Sequence, residues 1–160
     1  MVNSTFDISA YKGLIIYEIA NRKFCADLLK ISNIFKLDEI VFPPEFYSNI
    51  VSTLHIQNKK FPLINLSLLL DLDTNSISNF SRLLLYEGNS HKYFFLSGKI
   101  HHMVTIDRKF LETVDEIEPS LKSEYVYGAV KLENEEVIML DFEKIFEEYL
   151  SENSNSFHKN

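Results

Sequence analysis

The chain contains two similar halves. Residues 14–18 (LIIYE) match residues 83–87 (LLLYE), and the match continues without a gap to residues 30–31 and 99–100, which are both Lys-Ile. A second match, in the order of apolar and polar residues, relates 50–66 to 126–142. The offset grows from 69 residues (14 to 83) to 76 (58 to 134), so the second half has a longer middle loop. A duplicated small module usually forms two lobes, and the groove between lobes is a common place for a binding site.

Length and composition favour one domain built from both halves. The 160 residues are 46% apolar and 13% aromatic, which is enough for a hydrophobic core. A module of about 65–70 residues would be only marginally stable alone. We therefore expect a single domain at residues 12–150, with one lobe at about 12–78 and the other at about 80–150. Residues 1–11 and 151–160 are expected to be flexible tails.

The charge and the single cysteine argue against several classes of protein. A net charge of −7 without a basic run disfavours binding to nucleic acid or to an anionic membrane surface. Cys25 lies in an apolar run and has no cysteine partner, so we interpret it as a core residue in a reducing compartment. No signal peptide is recognisable, and the longest apolar run, 61–72, is short for a membrane span. The sequence therefore predicts a cytoplasmic protein without direct membrane insertion.

Alternating apolar residues and turn residues predict a mainly β fold. Four hairpins are expected, with strands at 13–19 and 24–26, 50–56 and 61–66, 82–86 and 93–96, and 125–132 and 137–142. A further strand is expected at 101–106, whereas 28–35 could be a strand or a short helical turn. Apolar spacing predicts a C-terminal helix at 143–150, and Pro44 favours a short helix at 44–47. Two small barrels of about five strands each account for these elements.

Asparagine is expected to replace glycine in the turns. The chain has only four glycines. Asparagine tolerates a positive φ better than most residues, because its short side chain bonds to the local backbone. The asparagines placed at expected turns are Asn21, Asn58, Asn89 and Asn134.

Five segments form an ordered set of motifs. They are 14–19 (LIIYEI), 27–34 (DLLKISNI), 42–46 (FPPEF), 61–66 (FPLINL), and 123–128 with 137–145 (SEYVYG with VIMLDFEKI). This set resembles the CheW family, the coupling proteins of bacterial chemotaxis arrays, over nearly all of residues 12–150. The resemblance implies two tandem five-stranded SH3-like barrels with short helices and a C-terminal helix. It also implies a non-enzymatic adaptor, without cofactor or metal, that joins chemoreceptors to the histidine kinase CheA.

The resemblance further implies two partner surfaces. The cytoplasmic tip of a chemoreceptor, a helical hairpin, would lie in an apolar groove between the lobes. The residues implied for this groove are Ile31, Gln57, Leu83, Leu84, Ile100 and Met103. The regulatory domain of CheA would bind beside Asn33 and Ile34, and other CheW-like proteins form a further class of partner. Each of these aliphatic side chains could instead be a core residue, since most apolar residues on strands are buried.

The chain departs from the family pattern in two places. Where the family has Asn-Leu-Arg-Gly, residues 55–58 read HIQN, so Gln57 replaces a characteristic arginine. Glutamine cannot make the charged, bidentate contacts of arginine. In the second half, Ser97 and Gly98 replace the usual Val-Asp pair. These differences leave open an alternative, a CheW-like protein that fills array positions or competes for them without coupling receptor to kinase.

Patterns for catalysis and metal binding are weak in this sequence. His101 and His102 are neighbours on an expected strand, so their side chains should point to opposite faces and not share one ion. The segment that begins at Asp71 starts like a calcium loop but lacks the required Gly and Glu at its sixth and twelfth positions. A small metal-dependent hydrolase that uses the histidines is the remote alternative from another class.

Overall fold

Strands dominate the part of the chain that the structure, a computed structural model, describes: residues 11–38, 40–72, 77–107 and 119–151. The strands are β1 (Tyr11–Ile19), β2 (Arg22–Asp27), β3 (Ile31–Phe35), β4 (Val51–Ile56), β5 (Lys59–Ile64), β6 (Arg82–Glu87), β7 (Lys92–Ser97), β8 (Ile100–Asp107), β9 (Val126–Leu132) and β10 (Glu135–Leu140). The α-helices are α1 (Leu66–Leu69) and α2 (Phe142–Tyr149), and single 3₁₀ turns occur at Leu28–Lys30 and Pro44–Tyr47.

Asparagine shapes three of the hairpin turns. The turns after β1, β4 and β9 each have two successive residues at positive φ, and the second residue is Asn21 (65°), Asn58 (64°) or Asn134 (66°). Such two-residue turns match the right-handed twist of the paired strands. The expectation of positive φ is confirmed at these three residues. It is wrong at Asn89, which is not among the positive-φ residues, and none of the glycines has a positive φ either.

The strands form two five-stranded sheets that exchange strands between the halves of the chain. Sheet 1 has the order β8-β1-β2-β10-β9, and sheet 2 has the order β3-β6-β7-β5-β4. The parallel pairs β2–β10 and β5–β7 join strands that are far apart in sequence. Each sheet therefore contains strands from both halves, and the sheets do not correspond to the expected lobes at 12–78 and 80–150.

Three hydrophobic cores stabilise this arrangement. Along β1, Leu14 and Ile16 point into a core enclosed by sheet 1, whereas Ile15 and Tyr17 point into a core that both sheets share. Along β6, Leu83 points into the core of sheet 2 and Leu84 into the shared core. Side chains from both edge strands reach the inner core of each sheet, such as those of β8 and β9 in sheet 1, so each sheet is curled. The mainly β fold with two five-stranded units is thereby confirmed.

The two helices begin at equivalent points of the repeat. The side chain of Asn65 accepts a hydrogen bond from the backbone N–H of Leu68, and that of Asp141 accepts one from Lys144. Both residues are N-caps, which satisfy a free N–H of the first helical turn. Helix α2 then buries Phe142 and Ile145 in the shared core. The expected C-terminal helix is confirmed, and the region 28–35 contains both elements considered, a helical turn followed by a strand.

Some expectations concern residues outside the described part. Most of the two expected tails, 1–10 and 152–160, lie there. Tyr11, which was assigned to the first tail, belongs instead to β1 and pairs with Asp107 of β8.

Candidate partner-binding surfaces

Strands β3 and β8 are equivalent edge strands, one on each sheet. Ile31 of β3 pairs with Tyr86, and Ile100 of β8 pairs with Tyr17, which is the position equivalent to Tyr86. Both strands then have an irregularity of register directly after the isoleucine. The repeat thus predicts that surfaces on one edge have a counterpart on the other.

The equivalent edge strands both expose an aliphatic side chain. Ile34 on β3 is 40% exposed and Met103 on β8 is 54% exposed, and the two positions correspond in the repeat. Asn33 beside Ile34 is also exposed. Ile31 and Ile100 are half-buried and pack against the shared core, so each offers only part of its surface. The structure therefore leaves Asn33, Ile34 and Met103 available to a partner, and Ile31 and Ile100 partly so.

Two residues assigned to the groove from the sequence are core residues. Leu83 and Leu84 are both fully buried. Strand β6 lies between β3 and β7, with the core of sheet 2 on one face and the shared core on the other, so neighbouring side chains are buried on opposite faces. The expectation that Leu83 and Leu84 line a surface groove is corrected by this burial.

Gln57 belongs to a different element from the other groove residues. It is exposed in the turn between β4 and β5, with φ of 50°. Strand β4 forms the edge of sheet 2 opposite to β3. Gln57 and Ile31 therefore belong to opposite edge strands in the order of sheet 2, and they do not share one strand.

Two equivalent cavities lie where the sheets meet. Cavity 1, of about 470 Å³, is lined by the end of β1, the end of β7 and the start of α1, and Glu18, Phe80 and Lys99 are among its lining residues. Cavity 2, of about 330 Å³, is lined by β2, β10 and the start of α2. The repeat relates the two, because Lys99, Asn65 and Ser67 of cavity 1 correspond to Lys30, Asp141 and Glu143 of cavity 2.

Charged side chains around cavity 2 are largely paired with each other. Lys12 and Asp27 form an ion pair of 3.1 Å. Tyr86 donates a hydrogen bond to Glu143, and His91 lies 3.2 Å from the same carboxylate. Burial, followed by this hydrogen bond, raises the pKa of the Tyr86 phenol well above its usual value. Tyr86 therefore stays protonated and acts as a donor over the physiological pH range.

Cavity 1 has a simpler electrostatic environment. Its lining carboxylate, Glu18, lies 2.8 Å from Nε2 of His101. The ammonium of Lys99 lies 5.8 Å from the centre of the Phe80 ring, within the range of a cation–π contact. Phe80 is 61% exposed. Sequence reasoning missed this combination of a cation and an exposed aromatic ring; the match of Lys30 to Lys99 marked the cation but not its contact with Phe80.

The histidines are not part of a metal cluster in the described part of the chain, where no group of three or more His, Cys, Asp or Glu side chains could hold an ion. His101 contacts Glu18, and His102 is exposed on β8. None of the helices described is long and apolar enough to cross a membrane.

Comparisons with known proteins identify the family. The family model described as a CheW-like domain matches residues 13–149. The crystal structure of the scaffolding protein TtCheW from Thermoanaerobacter tengcongensis is similar, with a TM-score of 0.66 at 20% identity, covering 81% of this chain and 88% of that chain. A comparison with curated proteins found no match. Since the family model spans most of the sequence and the structural similarity supports the same fold, this chain belongs to the CheW-like family of chemotaxis scaffolds.

Proposed function

We propose that this protein is a non-catalytic scaffold that couples chemoreceptors to the histidine kinase CheA. The observation that carries this proposal is the match to the CheW-like family over residues 13–149. A scaffold of this kind acts by holding its partners in a fixed geometry, so it needs separate binding surfaces on a rigid body rather than catalytic groups. It would work in the cytoplasm at receptor arrays, and reach the membrane only through its partners.

The two equivalent edges support a bivalent scaffold. We assign the regulatory domain of CheA to the β3 edge, beside Asn33 and Ile34. We assign the helical hairpin of the receptor tip to the β8 side, with Ile100, Met103 and cavity 1. The shared core contains Ile15 of sheet 1 and Leu84 of sheet 2, among other residues of both sheets, so it holds the two edges at a fixed separation. An aliphatic side chain at each edge gives each partner an apolar anchor.

A second candidate is a scaffold that occupies array positions, also alongside other CheW-like proteins, without transmitting the receptor signal. Gln57 favours it, because this exposed turn carries no charge where the family resemblance implies arginine. Both candidates bind partners, and they differ in whether the kinase responds.

Binding titrations test the proposed function. The full chain is titrated with the isolated regulatory domain of CheA from its own organism, and separately with a soluble receptor-tip hairpin. Micromolar binding to both supports the coupling scaffold. Binding to only one partner supports a specialised array component, and binding to neither rejects the proposed function.

A further inference from the structure

The two equivalent cavities differ in charge. Around cavity 2, the lining includes the carboxylates of Asp27, Asp141 and Glu143 together with two lysines. At the three equivalent positions around cavity 1 the chain has an apolar or uncharged residue: Leu96, Asn65 and Ser67. One of the two lysines of cavity 2 has a lysine at its equivalent position: Lys99 corresponds to Lys30. The other does not, because Ser81 stands at the position equivalent to Lys12. Cavity 1 therefore lacks the three carboxylates of cavity 2 and retains one of its two cations, and its own carboxylate is that of Glu18.

The retained cation has no anionic partner in the described part of the chain. Lys99 is exposed, and its ammonium lies over the face of the Phe80 ring. The nearby carboxylate, Glu18, is engaged by His101. The whole protein carries a net charge of −7, so an acidic partner would be repelled by most of its surface. An ammonium that remains available at this cavity gives such a partner a local point of attachment.

Apolar surface accompanies the cation. Phe80 is exposed at the cavity, and Leu96 and Ile19 contribute to the same lining. An occupant that matches this surface has an apolar side chain beside an acidic one. On an amphipathic helix, residues three or four positions apart present such a pair on one face.

We infer that cavity 1 binds an acidic, amphipathic helical segment of the receptor tip, with an aspartate or glutamate on Lys99 and an apolar side chain against Phe80. This inference rests on the proposed function, since it takes the receptor tip as the partner. Beyond the proposed function, the inference states that the recognised segment is acidic and that Lys99 is the residue that selects it. The equivalent lysine of cavity 2, Lys30, shares its lining with the carboxylates of Asp27, Asp141 and Glu143, so we assign it no such role.

Charge reversal at the two equivalent lysines tests the inference. Affinity for the receptor-tip hairpin is measured for the wild type, Lys99→Glu, Lys99→Gln and Lys30→Glu, with circular dichroism to confirm folding. We expect Lys99→Glu to weaken binding about tenfold or more and Lys99→Gln to weaken it less. Lys30→Glu is the matched control and should stay within about twofold of the wild type. The wild-type affinity should also fall with added salt, and this dependence should be smaller for Lys99→Gln.

The outcomes separate failure of the inference from failure of the proposed function. If the wild type binds the hairpin and Lys99→Glu binds equally well, the inference is overturned while the scaffold role stands. Equal loss in Lys99→Glu and Lys30→Glu also overturns it, because the effect would then be one of overall charge. If the wild type does not bind the hairpin at all, both are rejected. Restored binding between Lys99→Glu and a hairpin in which one acidic residue is changed to lysine would identify the paired residue.

Discussion

The backbone N–H of Gly98 donates a hydrogen bond of 2.7 Å to the carbonyl oxygen of Glu18. This bond joins the connection between β7 and β8 to the end of β1, beside cavity 1. A Cβ atom at Gly98 would lie 2.8 Å from the same oxygen, which is closer than van der Waals contact allows. The sequence has glycine here because the two backbones approach each other closely, and not because of a positive φ.

Gly98→Ala should therefore destabilise the fold by roughly 1–3 kcal/mol, because two backbone segments must separate. The matched control is Gly13→Ala, whose Cβ would meet the flexible side chain of Leu28 at 3.3 Å. This control should cost less than about 1 kcal/mol. Urea denaturation of both variants measures the difference, and equal costs would show that the contact with Glu18 is unimportant.

The two helix N-caps should differ in their contribution to stability. Asp141→Ala removes one capping bond and should cost about 1 kcal/mol. Asn65→Ala also removes the bond from its Nδ2 to the carbonyl oxygen of Phe46 (2.9 Å), in a buried position. The carbonyl would be left without this donor, so we expect a loss of about 2–3 kcal/mol. Urea denaturation would contradict this account if Asp141→Ala proved the more costly substitution.

Alkaline pH should destabilise the protein through Cys25. Burial raises the pKa of its thiol from 9.0 to about 12. An unfolded thiol loses its proton above pH 9 while the folded one keeps it. The contribution of this group is therefore complete below pH 9 and is lost as the pH rises towards 12.

Between pH 9 and 10, the wild type should lose about 1 kcal/mol more of its free energy of unfolding than Cys25→Ala. The buried tyrosines Tyr17 and Tyr93 also have raised pKa values, so this interval, which ends at the usual tyrosine pKa of 10.0, isolates the thiol best. Urea titrations at both pH values measure the difference, and parallel losses would exclude the thiol as the cause.

The two exposed edge residues should act on different partners. Ile34→Glu should weaken binding to the CheA regulatory domain about tenfold and leave receptor-tip binding intact, because a charge replaces an apolar anchor. Met103→Glu should have the opposite selectivity. Both side chains are exposed, so circular dichroism spectra should match that of the wild type. If either variant weakened both interactions equally, the assignment of one partner to each edge would be wrong.

Gln57→Arg should distinguish the two candidate functions. If the turn after β4 takes part in coupling, arginine should increase kinase stimulation in reconstituted receptor arrays, since it restores a charged, bidentate donor. Gln57→Lys, which restores charge without the planar donor group, is the control. Kinase stimulation that is unchanged by the arginine would count against a role for this turn.

The sequence predicted the elements better than it predicted their arrangement. The apolar runs at β1 and β6 have little alternation because these strands are buried on both faces. The family resemblance placed Leu83 and Leu84 in a groove, and the apolar run could not correct this assignment, because such a run does not reveal which faces other elements cover. The sequence also did not predict that each sheet contains strands from both halves of the chain, because hydrophobic periodicity identifies a strand but not the strand that pairs with it. The pairs β2–β10 and β5–β7 are parallel contacts between distant segments, which no turn signal marks.

For the candidate surfaces, the repeat predicted the equivalence of Ile31 and Ile100 but not the cavities. Ile31 and Ile100 were placed by the repeat, and the structure confirms that they lie on equivalent strands. Cavity 1 is lined by β1 of sheet 1, β7 of sheet 2 and α1. The residues that line it therefore depend on how the strands are divided between the two sheets. The change from Asp27, Asp141 and Glu143 to uncharged residues becomes visible only when both cavities are compared.

The most direct test of the scaffold role is a competition measurement on one sample. The protein is first saturated with the CheA regulatory domain, and its affinity for the receptor-tip hairpin is then measured and compared with that of the free protein. Because the partners are assigned to edges on different sheets, we expect the two affinities to agree within about threefold and a ternary complex to form. If the kinase domain displaced the hairpin, the two partners would share one surface, and the protein could not act as a bridge between them.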